Sequence, residues 1–297
     1  MNRGRADPVN AVRINMPQPG GEHKADPGPE TGEKTTIPAS GERAILGAGC
    51  GKTAMISVII PAYNEAGHIR PTLENLASAR ALLGVEVIVS DDGSADGTLE
   101  AALGRADLII RPVHGQRTGP GAARNRGAAK SRGDLLVFLD ADSRIRDPLG
   151  FFGRIEEVFS ARSLAAATCR LAVEPEEAGP LVRALHLVQD LVIMAENLVN
   201  IHVSGGWCQI VDRAAFVAVG GYDEDLSVSQ DVDLFKRLGR LGRTRLIPGL
   251  LVYESPRRYR ERGLIRTYLV RIVNSLAVLG GGRPTAGTYR RKRPAFH

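Results

Sequence analysis

Asp140 and Asp142 stand one residue apart at the end of an apolar run, Leu-Leu-Val-Phe-Leu at residues 135–139. That run reads as a short strand buried on both faces, bounded by Gly133-Asp134 before it and by polar residues after it. An apolar strand cannot hide two anions without a partner, because unpaired charge is costly to bury or shifts its pKa. The C-terminal ends of strands in an open α/β sheet are also where ligands bind. The pair points to a divalent cation carrying a phosphate, with oxygen ligands suited to Mg²⁺ or Mn²⁺. Taken alone, Asp-x-Asp more often marks a strand followed by an acidic turn, so its surroundings have to decide.

Those surroundings alternate strand and helix. Residues 54–60 form a first strand ended by Pro61, and a helix then runs to residue 83 with Ile69, Leu73, Leu76 and Ala77 on its apolar side and Pro71 in its first turn. Residues 85–89 are a second strand, closed by a turn rich in Gly and Asp, with Asp96 as N-cap of a helix over 98–104. A short strand at 107–110, a glycine-rich loop at 114–121 and a helix over 122–131 carrying Arg124, Asn125 and Arg126 lead into the acidic-ended strand. Strand and helix in this order predict an α/β fold: a mostly parallel, doubly wound, Rossmann-like sheet flanked by helices.

Past Asp147-Pro148 the pattern changes. It gives a helix over 151–161, a small-residue strand over 164–173, and a long amphipathic helix over 180–203 with Arg183, His186, Asp190 and Asn197 near one face. His186 and His202 read as ordinary helix-surface residues. Gly205-Gly206 opens into a strand behind Trp207, which fits either an acceptor site or the core; residues 246–253 form the last strand. Three segments follow: 1–54, disordered; 55–255, one catalytic domain with halves at 55–147 and 148–255; and 256–297, a basic tail with a helix candidate over 263–279. Within the first, Gly51-Lys52-Thr53 imitates a phosphate-binding loop, but its spacing is short and no strand precedes it, so it reads as linker.

Charge is uneven. The chain of 297 residues carries +6, yet residues after 255 hold eleven Lys or Arg against one acid, Glu261, while residues 55–255 hold 21 basic against 26 acidic side chains. A basic folded surface for nucleic acid is therefore not expected. Cys50, Cys169 and Cys208 form neither a disulfide framework nor a zinc site and suit a reducing cytoplasm. No apolar run approaches the ~20 residues of a spanning helix. The tail helix, with Arg290-Arg-Lys-Arg293 beyond it, fits either a peripheral anchor on anionic lipid at the cytoplasmic membrane face, or packing on the domain or on a second copy as a homodimer.

Four motifs in register carry a resemblance. Val-Ile-Ile-Pro-Ala-Tyr-Asn-Glu65, Val-Ser-Asp-Asp92-Gly-Ser-Ala-Asp, Gly-Ala-Ala-Arg124-Asn125-Arg-Gly and Phe-Leu-Asp140-Ala-Asp142 together resemble an inverting family 2 glycosyltransferase over residues 55–255. The resemblance implies the GT-A fold, a nucleoside-diphosphate-sugar donor (UDP- or GDP-linked) and Mg²⁺ or Mn²⁺. It implies that Pro61, Ala62, Tyr63 and Glu65 line base and ribose, and that Asp92 accepts from a base N–H. Arg124 would offset charge near the nucleotide, Asp142 would ligate the metal, and Asp140 would support it or contact the ribose. Gln230-Asp231 matches the family's usual Glu-Asp at a helix head, departing at Gln230; Asp231 is then the general base that activates an acceptor hydroxyl. The family often has a histidine near Glu254, absent here, which leaves the other metal ligands to diphosphate, water or Glu254. Arg257 and Arg258 are candidate phosphate grips. The acceptor is open among saccharide, lipid-linked phosphate and small metabolite. Nucleotidyl transfer to a sugar phosphate would want a glycine-rich, basic loop after the first strand, where Pro-Ala-Tyr-Asn-Glu stands instead. An inactive nucleotide-sugar-binding module is the non-enzyme alternative, against which Asp142 and Asp231 speak.

Overall fold

A computed structural model describes residues 9–13, 54–112, 116–174, 176–177, 179–198, 201–202, 204–226 and 228–255, with Val273 and Gly280 beyond them. The tail-helix candidate at 263–279, apart from Val273, the 290–293 cluster, Arg257, Arg258 and the loop imitation at 51–53 lie outside the described residues.

The Val- and Ile-rich runs form β2 (Ile56–Ala62), β3 (Glu86–Asp91), β4 (Leu108–Pro112) and β5 (Leu135–Leu139), buried along most of their length. Their order is β4-β3-β2-β5, and every pair within it is parallel. Parallel strands need crossovers, supplied by α1 (Ile69–Asn75) with α2 (Ala77–Leu83), by α3 (Thr98–Ala102) and by α4 (Pro120–Lys130). The single helix expected to residue 83 is thus two, joined at Leu76. Asp96 is not the N-cap of α3, which is Gly97, but its Oδ1 accepts from the Thr98 backbone N–H at 3.0 Å.

Beyond β5 the sheet continues through β8 (Cys208–Asp212), β7 (Leu164–Ala172), β9 (Arg243–Glu254) and β6 (Ser143–Ile145). Here β5–β8, β8–β7 and β9–β6 are antiparallel and only β7–β9 is parallel. The parallel character therefore belongs to the first half of the sheet. The remaining helices are α5 (Pro148–Ala161), α6 (Pro180–Leu198), α7 (Arg213–Ala218) and α8 (Gln230–Leu238). Strand alternation splits the core in two. Val58, Ile60, Val137 and Leu139 face Leu73, Phe152 and Ile155 on one side; Ile59, Leu136 and Phe138 face Ala128, Phe216 and Phe235 on the other. Gly127 is required where α4 crosses β2, because a Cβ there would overlap Ile59 Cγ2.

The N-terminal segment contributes one described strand. Val9–Arg13 is β1, paired antiparallel with β4 from Val9↔Pro112 to Arg13↔Leu108. Five residues are too few for a visible period, but β4 is otherwise an edge with unpaired backbone groups, which a short β-forming segment can satisfy.

Candidate active site

The exits of β2 and β3 are tied together by side chains. Asn64, at φ 55°, donates its backbone N–H to Ser94 Oγ (2.9 Å) while its Oδ1 accepts from the Ala95 N–H (2.9 Å). The Glu65 N–H reaches Thr98 Oγ1 at 2.8 Å, and the Asp92 N–H reaches the Ala62 carbonyl at 2.8 Å. Pro61, Ala62, Tyr63 and Glu65 therefore share one rim of the sheet with Asp92. Asp91 serves the turn, its Oδ2 accepting from the Ser94 N–H (3.1 Å) and from Arg111 Nε (3.1 Å).

Asp92 does not stand open for a base. Its Oδ1 accepts from the Thr118 N–H (3.0 Å), Thr118 Oγ1 (2.6 Å) and Arg126 Nη2 (2.9 Å), and its Oδ2 from the Gly119 N–H (2.7 Å). It is 3% exposed and anchors the loop that enters α4. The guanidinium of Arg117 in that loop lies over the Tyr63 ring, 3.9 Å from its centroid, a cation–π contact on the face expected to stack on a base. Arg126 was missed as a site residue. The signal was its place two positions after Arg124, which on a helix sends the two guanidinia to different sides.

Arg124 turns the other way. Its Nη2 donates to Asp140 Oδ1 at 3.0 Å and its Nη1 to Gln230 Oε1 at 3.2 Å, and its Cζ lies 5.3 Å from the centre of the Tyr222 ring. Thus α4, the end of β5 and the head of α8 meet at one guanidinium. The departure at Gln230 is accommodated: its amide also donates to the Leu226 carbonyl, and the side chain is buried. Ser229, at φ 55°, makes the sharp turn that sets Gln230 and Asp231 at the helix head, a conformation costing roughly 1–2 kcal/mol for a non-glycine residue.

Asp231 has the most informative electrostatics. Burial pushes its carboxyl up from 3.8 to about 6, with Asp140 adding to the rise. The backbone N–H groups of Asp231 and Val232 and the Arg124 charge oppose it. A narrow face remains open to solvent. Gly206 lies alongside, where a Cβ would sit 3.7 Å from the carboxylate. The floor is Tyr222, whose hydroxyl donates to Gln209 Oε1 at 2.8 Å, while Gln209 Nε2 donates to the Gly205 carbonyl at 2.6 Å. Burial raises the Tyr222 phenol far above its usual range, so it stays neutral. Trp207 proves to be core, 6% exposed with Nε1 donating to the Cys169 carbonyl (3.2 Å). Its carbonyl accepts from the Asp140 N–H at 3.3 Å, which fastens the glycine loop to the Asp140 turn.

Asp142 lies in that turn, half-buried, and the next residue, Ser143, pairs with Glu254 across β6 and β9. His186 was expected on the surface but is 3% exposed, with Nε2 3.9 Å from Glu254 Oε1 and Nδ1 3.1 Å from the Leu171 carbonyl. His202 is likewise half-buried, with Nδ1 3.0 Å from Thr244 Oγ1. Among the described residues no three His, Cys, Asp or Glu side chains converge to cage a cation. One or two carboxylates at a strand end, the rest left to phosphate and water, is nevertheless how Mg²⁺ and Mn²⁺ are held beside a diphosphate. The donor set fits such an ion.

Comparisons with known proteins bear on the family and the fold. The sequence model of Glycosyl transferase family 2 matches residues 57–218. Succinoglycan biosynthesis protein ExoA of Rhizobium meliloti is 30% identical over 197 residues, 62% of this chain and 58% of that protein. The pre-mycofactocin glycosyltransferase of Mycobacterium tuberculosis is 32% identical over 212 residues, 68% of this chain and 43% of that protein. The chain thus spans about half the length of these two relatives. Among solved structures, a mannosyltransferase of Pyrobaculum calidifontis in complex with GDP-Man and Mn²⁺ superposes with a TM-score of 0.62 at 20% identity, over 77% of this chain and 64% of that one. Glucosyl-3-phosphoglycerate synthase of Mycobacterium tuberculosis, in complex with Mn²⁺, UDP and its product, gives 0.52 at 23% identity, over 79% and 82%. The fold is GT-A, and the chain belongs to glycosyl transferase family 2.

Proposed function

We propose that this chain catalyses inverting transfer of a sugar from a UDP- or GDP-linked donor to an acceptor hydroxyl, with Asp231 as general base. The observation that carries the reading is a desolvated carboxylate with its pKa raised to about 6, set against the Arg124–Asp140 pair at the end of β5. A base works best when its pKa lies near the working pH, and this one is mostly ionised at pH 7 yet a competent proton acceptor.

The rim formed by Pro61, Ala62, Tyr63 and Glu65 takes the nucleoside: Tyr63 stacks on the base once Arg117 moves aside, and Glu65 accepts from ribose hydroxyls. Asp92 holds the neighbouring loop closed through Thr118 and Gly119. Asp142 would hold Mg²⁺ or Mn²⁺, and the ion would supply charge neutralisation for a departing diphosphate. Arg124 keeps Asp140 oriented at the same turn and adds positive charge beside the donor. Asp231 takes the proton from the acceptor hydroxyl as that oxygen bonds to the anomeric carbon; the bond to the diphosphate oxygen breaks on the opposite face, and the single displacement inverts the centre.

The fold of the two ligand-bearing neighbours supports a nucleotide-sugar donor. The test is a thermal-shift panel of UDP, GDP, CDP and TDP with Mn²⁺, followed by transfer assays with sugars of the stabilising nucleotide. Stabilisation by UDP or GDP, dependent on Mn²⁺, is expected. A chain stabilised by none of the four would end this reading.

A further inference from the structure

The long helix α6 is mounted inside out. Its buried positions are His186, Asp190, Ile193 and Asn197, three of them polar. Each polar one is bonded inward to the strands it covers. Asp190 accepts from Arg170 Nε (2.9 Å) and His186 Nδ1 lies 3.1 Å from the Leu171 carbonyl, both on β7; Asn197 Oδ1 accepts from Thr244 Oγ1 (2.6 Å) on β9. These bonds fix the rotation of the helix, since turning it would strand buried polar groups without partners.

The opposite face is apolar and in the open. Leu181, Leu187, Val188, Leu191 and Val192 are 49–62% exposed, and Ala184 and Ala195 lie between and beyond them. At 100° per residue these seven occupy an arc of roughly 140° along about 21 Å of helix. The arc contains no Asp, Glu, Lys or Arg; Arg183 and Glu196 stand at its edges. Five of the thirteen large apolar side chains exposed among the described residues are thus on one helix face, while on the other elements they come singly or as the pair Leu82 and Leu83.

What covers this face is indicated by charge and by where the chain goes next. β9 ends at Glu254, whose carboxylate lies 3.9 Å from His186 on α6 itself, so the chain leaves β9 beside this helix with the segment 256–297 to follow. That segment carries eleven Lys or Arg and one acid. Pairing α6 with α6 of a second copy would bring two segments of net charge +10 together. An anionic bilayer accepts both the apolar stripe and the basic segment.

We infer that the outward face of α6 is a membrane-docking surface, which inserts its leucines and valines at the interface of an anionic lipid bilayer. The site reading under Proposed function is not needed for this.

The experiment is co-sedimentation of the full chain with phosphatidylcholine vesicles, with and without phosphatidylglycerol, alongside light scattering for oligomeric state. The wild type should bind the anionic vesicles and bind the neutral ones weakly. Leu187→Glu with Leu191→Glu should lose binding by at least about tenfold, given the apolar area withdrawn. Leu82→Glu, on an exposed position of α2, should bind as the wild type does. Both positions on α6 are exposed, so circular dichroism and the thermal midpoint should not change. Undiminished binding by the double variant, or absence of wild-type binding to anionic vesicles, overturns the inference. So does a wild-type dimer that the double variant converts to monomer, which would assign the stripe to a second copy.

Discussion

Replacing Asp231 by asparagine should move activity and stability in opposite directions. The folded chain holds this carboxyl at about 6 against an ordinary 3.8, so the folded state prefers the protonated form. A raised pKa contributes stability that is complete below pH 3.8 and is lost as pH climbs through about 6. At pH 7.5 the wild type therefore bears a desolvated anion that the unfolded chain does not. A shift of about two units is worth at most about 3 kcal/mol, and about 1–3 kcal/mol once screening at the open edge of the carboxylate is allowed for. Asp231→Asn removes that cost, so its thermal midpoint at pH 7.5 should exceed the wild type's, by roughly 2–4 °C per kcal/mol for a domain of this size. Near pH 4 the two midpoints should converge. Sugar transfer at pH 7.5 should be abolished while nucleotide-induced stabilisation is retained. An acid placed at a helix head only for the dipole gives the reverse sign, because its loss costs about 0.3–1 kcal/mol. A variant less stable than the wild type at pH 7.5, or one that still turns over fully, refutes the assignment of Asp231.

The rate of transfer should follow ionisation of Asp231, falling about tenfold from pH 7 to pH 5 with a midpoint near 6, as measured by initial rates at saturating donor. In Gln230→Glu a second carboxylate joins Arg124 beside Asp231, so that acidic limb should move to higher pH; an unmoved limb would count against the shared guanidinium. Gly127→Ala should destabilise the chain by about 1–3 kcal/mol in urea unfolding, because the added methyl meets Ile59 where α4 packs on β2. Tyr222→Phe should cost about 1–3 kcal/mol by the same measurement, since it leaves the buried Gln209 oxygen without its donor.

The first half of the fold was legible because its strands are buried on both faces, and continuous Val and Ile runs survive any choice of neighbour. The Asp140 turn drew notice for a related reason, since two carboxylates at the end of an apolar strand are expensive without a partner, whereas Asp231 entered only through the resemblance of Gln230-Asp231 to a family motif. What the sequence withheld was decided by tertiary partners. The period of α6 revealed two faces, but only the hydrogen-bonding groups offered by β7 and β9 made the polar one turn inward. Asp92 looked available for a ligand until the loop at Thr118 and Gly119 was seen to saturate it, and Tyr222 carried no mark in the sequence of its contact with Arg124. The strand at residues 9–13 was invisible because its reason lies in the unpaired edge of β4.

The reversal of direction between β5 and β8 leaves a mark on how such a molecule can diversify. Since β8 runs against β5, the stretch that enters it, from Ser204 to Trp207, arrives at the same end of the sheet where Asp140 leaves. A side chain added at Gly206 would come 3.7 Å from the Asp231 carboxylate, whereas one at Gly205 would run into the buried Trp207 ring, so only part of that short approach is open to change. What stands beside Asp231 can thus change at one position of one loop while the pairing of β8 with β5 is kept.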